Sequence, residues 1–195
     1  MKKLFIFRHG QTPWNKEKRF QGHLDIPLSE EGKAEARDLR EHLLPINFDY
    51  ILSSDLKRAK MTTEIALGDR DIPTSYSQML REAYLGEAQG KTQDEVKELW
   101  GENILKQWFH ATEDMKFPGG ESKSEALVRF KNYVDSFLDT HPASTIAIST
   151  HGYIIFRLLC QISSVTPEGL AIKNCQAFEV DVDQQGNWRW VGTLN

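Results

Sequence analysis

Phe5-Ile6-Phe7-Arg8-His9-Gly10 is an apolar, β-prone run that delivers an arginine and a histidine onto a turn permitted by glycine. In an open α/β sheet, ligands bind at the carboxyl ends of the strands. There Arg8 and His9 project into a site rather than into a core, and His9 becomes a candidate nucleophile. The competing reading of the tripeptide alone is a solvated Arg-His pair after an edge strand.

A second strand ends the same way. Thr145-Ile146-Ala147-Ile148-Ser149 is a buried-type strand that runs into Thr150-His151-Gly152 and then an apolar helix from Tyr153 to Gln161. If the two strands are parallel neighbours, both imidazoles face one pocket. A third strand, Tyr50-Ile51-Leu52-Ser53, is followed by a helix that Asp55 is positioned to cap. Arg58 then falls in the first turn, where helix-end amides add positive potential. Two arginines and two histidines arriving from three strand ends describe an anion site with a nucleophile inside it.

Outward from these junctions, strand and helix patterns alternate. Ser29 is the N-cap of a helix with Ala36, Leu39 and Leu43 on its apolar face, stopped by Pro45. Pro73 to Tyr76 reads as a short strand. Gly86 and Gly90 break any period between Leu80 and Lys91, whereas Thr92 to Trp100 and Asn103 to His110 read as helices. Ser122-Lys123-Ser124-Glu125 is a capping box opening a long helix, with Leu127, Phe130, Val134, Phe137 and Leu138 on one stripe. Phe178 to Val182 and Trp188 to Val191 close the pattern as a strand pair. With no internal repeat or low-complexity linker, the alternation favours one α/β domain.

Composition narrows the function classes. A chain of 195 residues, 39% hydrophobic and 27% charged, can bury a sizeable core without disulfides or metals. A net charge of −4 argues against a nucleic-acid partner and requires any anion site to be local. Cys160 and Cys175 have neither zinc nor redox spacing and read as plain thiols. No stretch approaches the roughly 20 apolar residues of a membrane span. Arg8 and His9 also interrupt the run behind Met1-Lys2-Lys3 before it could serve as a signal segment, so the expectation is a cytoplasmic protein with no membrane partner.

The chemistry that suits this constellation is phosphoryl transfer. A neutral imidazole can attack phosphorus to form a phosphohistidine if flanking cations neutralise the equatorial oxygens. Arg8 and Arg58 bring planar, permanently charged forks that bind phosphate bidentately, and His151 is a further donor. At 4 Å and an effective dielectric of about 20, each cation is worth on the order of 4 kcal/mol against a unit charge. Metal ligation is the rival use of the two histidines. The chain has no HExxH-type spacing and no carboxylate cluster beside them, so neither metal nor cofactor is expected.

The motifs extend well beyond the first tripeptide. They comprise Arg8-His9-Gly10-Gln11-Thr12-Pro13-Trp14-Asn15, Arg19-Phe20-Gln21-Gly22 with Asp25-Ile26-Pro27-Leu28-Ser29, and Ser53-Ser54-Asp55-Leu56-Lys57-Arg58-Ala59. Glu82, Gly86 to Gly90, Pro118-Gly119-Gly120-Glu121-Ser122 and Ser149-Thr150-His151-Gly152 follow. In this order they resemble the histidine phosphatase superfamily, in its phosphoglycerate mutase-like branch, over nearly the whole chain. The resemblance implies a three-layer α/β/α sandwich with a mostly parallel central sheet, spanning residues 1–195, with residues 80–120 as a small helical lid insertion. It implies His9 as the phosphorylated nucleophile, with Arg8, Arg58 and His151 as the phosphate pocket. By the same resemblance Glu82 is general acid/base, while Asn15, Gln21, Gly22 and the backbone at Gly152 help hold substrate or phosphate. Spacing alone does not separate Glu82 from Glu87 or Glu121, and Glu121 reads instead as structural or as closing a loop over the site.

Within that resemblance the expected activity is a metal-independent phosphomonoesterase acting on a small phosphorylated metabolite. Mutase-type transfer between hydroxyls is the alternative, and a low-activity phospho-ligand-binding module is the alternative of another class. The run Ala83-Tyr84-Leu85-Gly86-Glu87 lacks the basic residue that follows the acid in the mutases, although Lys91 could supply part of that charge. A homodimer is compatible with the relatives. His42 and His141 read as helix-end residues, His23 as a loop residue with a minor claim to substrate contact, and His110 as part of the segment over the pocket. The aromatic group Trp100, Trp108, Phe109 and Phe117 reads as lid packing before it reads as a binding surface.

Overall fold

A computed structural model describes residues 1–68, 70–109, 114–163 and 170–195. The strands are β1 (Lys2–Arg8), β2 (Tyr50–Ser54), β3 (Thr74–Ser77), β4 (Thr145–Thr150), β5 (Ala177–Val182) and β6 (Trp188–Thr193). They form one sheet in the order β3-β2-β4-β1-β5-β6. Strands β3, β2, β4 and β1 run parallel, and β5 and β6 add an antiparallel edge. The sheet is therefore mixed but mostly parallel, as the alternation of elements predicts. Most important for function, β1 lies directly beside β4, with Phe7 opposite Ser149 and Arg8 opposite Thr150. The two strand-to-glycine junctions, more than 140 residues apart in sequence, end side by side.

Alternation along β1 sends Leu4 and Ile6 to one face and Phe5 and Phe7 to the other, so each face gathers its own core. On the first face, Leu4, Ile6, Leu52, Ile146 and Ile148 pack with residues of α6 (Lys123–Thr140) and α7 (Gly152–Ile162), including Phe130, Val134, Ile155 and Leu158. On the other, Phe5, Phe7, Ile51 and Ala147 pack with Ala36, Leu39 and Leu43 of α2 (Glu30–Leu43) and with Ala66 of α3 (Lys57–Leu67). Three layers result. The first face continues into α4 (Gln93–Trp100) and α5 (Asn103–Phe109), whose Val96, Leu105 and Trp108 join the same core.

Capping chemistry sets several helix starts. Ser29 accepts from Gly32 N–H, and capping boxes open α4 at Thr92 and α6 at Ser122, the latter with Glu125 reaching back. Two local expectations are corrected. Asp55 does not cap α3; its carboxylate is held by Arg81 through two 2.6 Å bonds, and Leu56 stands at the N-cap without a side-chain bond. The loop after β1 contains a short helix, α1 (Pro13–Lys16), capped by Thr12 and Asn15, which the polar composition of that stretch conceals. His110 lies outside the described residues.

Candidate active site

At the carboxyl end of β1, Arg8 N–H bonds Gln176 O and His9 N–H bonds Thr150 O, which ties the junction to both neighbouring strands. The turn is then pinned from α3, because Gly10 N–H donates to Thr62 Oγ1 at 2.9 Å. One helical turn earlier on the same face of α3 is Arg58, so one helix both fixes the histidine's turn and supplies a cation to it.

His9 is buried, and its Nδ1 lies 2.7 Å from Gly10 O. A carbonyl oxygen only accepts, so this bond assigns the proton to Nδ1 and leaves the Nε2 lone pair uncommitted. Burial, reinforced by the Arg58 and Arg8 cations, pushes the His9 pKa well below the ordinary histidine value, which keeps the ring neutral. His151 is fully buried, with its ring centroid 5.2 Å from that of His9 and its Nε2 2.8 Å from Ser54 Oγ. Burial, with the Arg58 charge second, lowers its pKa in the same way.

Both guanidinium groups are anchored by backbone carbonyls. Arg58 donates Nη1 to Leu24 O at 2.8 Å and Nη2 to Gly22 O at 2.7 Å; Arg8 donates Nη1 to Ile172 O at 2.7 Å. Burial lowers both pKa values, that of Arg58 to about 10, and both remain cationic at neutral pH. Gly22 has φ +53°, and a Cβ there would collide with the side chain of Gln89. A side chain at this position would have to displace Gln89, and glycine avoids that beside the carbonyl that holds Arg58. At Gly152 a Cβ would lie 2.9 Å from Arg8 Nε, so the first turn of α7 approaches the arginine as closely as it does because that side chain is missing.

The polar atoms left over point to a ligand. Arg8 Nε, Arg58 Nε, His151 Nδ1 and Gln21 Oε1 are all buried and have no hydrogen-bond partner. Such groups are expensive to leave unpaired, and Arg8 Nε, Arg58 Nε and His151 Nδ1 belong to the residues that converge on His9. An anion with several acceptor oxygens satisfies Arg8 Nε, Arg58 Nε and His151 Nδ1 together.

Glu82 completes the polar end. Its Oε1 accepts from Ala83 N–H and its Oε2 from Tyr153 N–H, each at 3.1 Å. Burial raises its pKa, opposed by those two bonds and by the charges of Arg58 and Arg8. The loop that carries it is held from α6: Arg129 pairs with Glu121 through bonds of 2.7 and 2.9 Å and donates to the carbonyl oxygens of Met79 and Glu82. Glu121 in turn accepts from Tyr84 N–H at 2.7 Å. This bears out the structural reading of Glu121. Glu87 is exposed and away from the cavity. His23 bonds the Glu82 carbonyl through Nε2 at 2.8 Å and packs on Tyr84, so it supports the loop rather than lining the cavity.

A cavity of about 550 Å³ opens over these groups, within the usual range for small-molecule sites. Arg8, His9, Asn15, Gln21, Gly22, Arg58, Glu82 and Gly152 all line it, so every expected site residue except the fully buried His151 reaches the cavity wall. Lys91 does not. The aromatic group divides: Phe117 is a core residue packed 4.9 Å from Trp108, whereas buried Trp108 and 45% exposed Phe109 both line the cavity. Among the described residues no group of three or more His, Cys, Asp or Glu side chains is arranged to hold a metal ion, and no helix is long and apolar enough to cross a membrane.

Sequence reasoning missed Arg129, Ser54 and Asn174, whose Nδ2 donates to His9 O at 3.0 Å. Ser54 was legible as the last residue of a strand that ends at the site. Arg129 lies on α6 while Glu121 precedes its N-cap Ser122, so no helical spacing links the pair in the sequence.

The family model described as histidine phosphatase superfamily (branch 1) matches residues 4–193. The chain is 34% identical over 170 residues to 2,3-bisphosphoglycerate-dependent phosphoglycerate mutase 2 of Gloeobacter violaceus, covering 85% of this chain and 77% of that protein. Its fold matches a structure of mycobacterial glucosyl-3-phosphoglycerate phosphatase in complex with VO3 at TM-score 0.88, with 26% identity and coverage of 100% and 99% of the two chains. It also matches Bacillus stearothermophilus YhfR at TM-score 0.87, with 29% identity and coverage of 97% and 95%.

Proposed function

The chain belongs to the histidine phosphatase superfamily, branch 1, and from that premise we propose that it is a metal-independent phosphomonoesterase acting through a phosphohistidine at His9. The observation that carries this reading is the set of unpaired buried atoms Arg8 Nε, Arg58 Nε and His151 Nδ1 around an imidazole whose Nε2 is uncommitted.

In the first step His9 Nε2 attacks phosphorus and the bond from phosphorus to the alcohol oxygen breaks. Glu82 in its protonated form, which burial favours, delivers its proton to that oxygen as the alcohol leaves. Arg8, Arg58 and His151 Nδ1 stabilise charge on the three non-bridging oxygens, and Gln21 can turn its amide to donate. In the second step Glu82, now a carboxylate, takes a proton from water as the water oxygen attacks phosphorus. The bond to Nε2 breaks, releasing phosphate and neutral His9. Asn15, Gly22 and Gly152 shape the pocket around the phosphoryl group, and Leu85, Gln93, Trp108 and Phe109 of the insertion cover it as a lid.

The second reading is a mutase, favoured by the name of the 34% identical relative. It needs a further cationic subsite for a second phosphate. On the cavity wall away from Arg8 and Arg58, the described cations are Lys18 and Arg19, and with Arg19 held by Glu17, Glu95 and Gly90 O a second phosphate would have Lys18 alone to meet it. That supports hydrolysis. Incubation with 3-phosphoglycerate in the presence of a chelator separates the readings: free phosphate is expected, whereas 2-phosphoglycerate without phosphate release would establish the mutase. Retention of the intact ester with tight binding would establish a binding module.

A further inference from the structure

The alcohol side of the cavity differs in chemistry from the phosphate side. Glu82 Oε2 is bonded to Tyr153 N–H, so the oxygen it protonates lies at the first turn of α7. The group attached to that oxygen must therefore pass over the cavity-facing side of this helix. Tyr153 and Phe156 line it there, three residues apart and thus neighbours on one face, with ring centroids 6.1 Å apart. Trp14, Leu85, Phe109 and Ile172 extend the wall from four other segments.

The polar groups of this wall, Asn15, Lys18, Arg19 and Gln93, come from other segments than the rings of α7. Asn15 Oδ1 accepts from Thr12 N–H and Oγ1–H, and Arg19 is paired with two carboxylates while lying 5.7 Å from the Trp14 ring centroid. A polyol would exchange its water for aromatic faces, which costs its hydroxyls their partners. An apolar group gains from covering rings that otherwise face solvent.

Resting on the phosphatase reading, we propose that the preferred substrates are phosphomonoesters of apolar alcohols, with an aromatic or branched aliphatic group seated against Tyr153, Phe156 and Phe109, rather than esters of sugars or glycerate. Selectivity is then a property of this wall and not of the phosphate pocket.

Aryl esters have intrinsically better leaving groups, so the test compares alkyl esters of similar reactivity: 2-phenylethyl phosphate, glycerol 1-phosphate and 3-phosphoglycerate. The expected kcat/KM for 2-phenylethyl phosphate exceeds that for glycerol 1-phosphate at least tenfold. Phe156→Ala, and independently Phe109→Ala at a half-exposed position, should lower the first value several-fold more than the second. Equal kcat/KM values, preference for glycerol 1-phosphate or 3-phosphoglycerate, or equal losses in both variants would overturn the inference while leaving the phosphatase reading intact. Absence of phosphate release from all three esters would overturn both.

Discussion

The two ends of the cavity are built on different principles. At the phosphate end each side chain leaves a strand terminus or the helix turn that follows one, and each cation is tied to a backbone carbonyl: Arg8 to Ile172 O, Arg58 to Gly22 O and Leu24 O. At the alcohol end the wall is assembled from side chains of five segments that meet through packing, with Phe109 left 45% exposed. Backbone-anchored charge gives one fixed geometry suited to one chemical group, and a packed aromatic wall tolerates exchange of its members. Substitutions at the first end should therefore damage turnover of every ester, and those at the second should redistribute preference among them.

The largest effect is expected at His9. His9→Ala removes the group that bonds phosphorus and should abolish turnover of all phosphomonoesters, measured as phosphate release, while far-ultraviolet circular dichroism stays that of the wild type. Arg58→Ala comes next. Losing a buried cation worth about 4 kcal/mol against a unit charge lowers kcat/KM by about 10³. The loss should be similar for apolar and polar esters, and a strongly ester-dependent loss would break the division between the two ends.

Glu82→Gln sharpens the division through pH. The neutral His9 is lost as pH falls through its lowered pKa, and the protonated Glu82 is lost as pH rises through its raised pKa. The wild-type profile of kcat/KM is accordingly bell-shaped. Glu82→Gln should remove the alkaline limb and cost roughly 10²–10⁴ in rate with an alkyl ester, and much less with a nitrophenyl ester whose oxygen needs no proton. A retained alkaline limb in the variant would assign that limb to another group.

Arg129→Ala tests whether the acid is positioned from α6. The side chain bridges Glu121 and the carbonyls of the Glu82 loop, so its removal should lower kcat about tenfold and shift the alkaline limb, with KM little changed. Charged hydrogen bonds of this kind contribute about 1.5–3 kcal/mol, so Tm also falls. A fall in Tm with unchanged kcat and pH profile would make Arg129 a purely structural residue.

What was legible in the sequence follows the same boundary. Strand ends, caps and glycine junctions are local, so Arg8-His9-Gly10 and Thr150-His151-Gly152 announce both the sheet and the polar end before any contact is known. Asp55 misleads because the helix-cap signal is local, whereas its actual partner, Arg81, is brought close only by tertiary structure. Arg129 and the aromatic wall escape for that reason: nothing in the 90–118 stretch tells that buried Trp108 and exposed Phe109 both line the cavity, since that depends on Tyr153 and Phe20 packing from distant segments.

The central claim is the covalent loading of one imidazole. Rapid acid-free quenching of the protein during turnover of a phosphorus-32-labelled ester, followed by peptide mapping, measures it directly. Label that is stable to alkali, labile to acid and confined to the peptide containing His9 is the predicted result. Continued turnover with no label on that peptide, or with label on any other residue, would contradict the account.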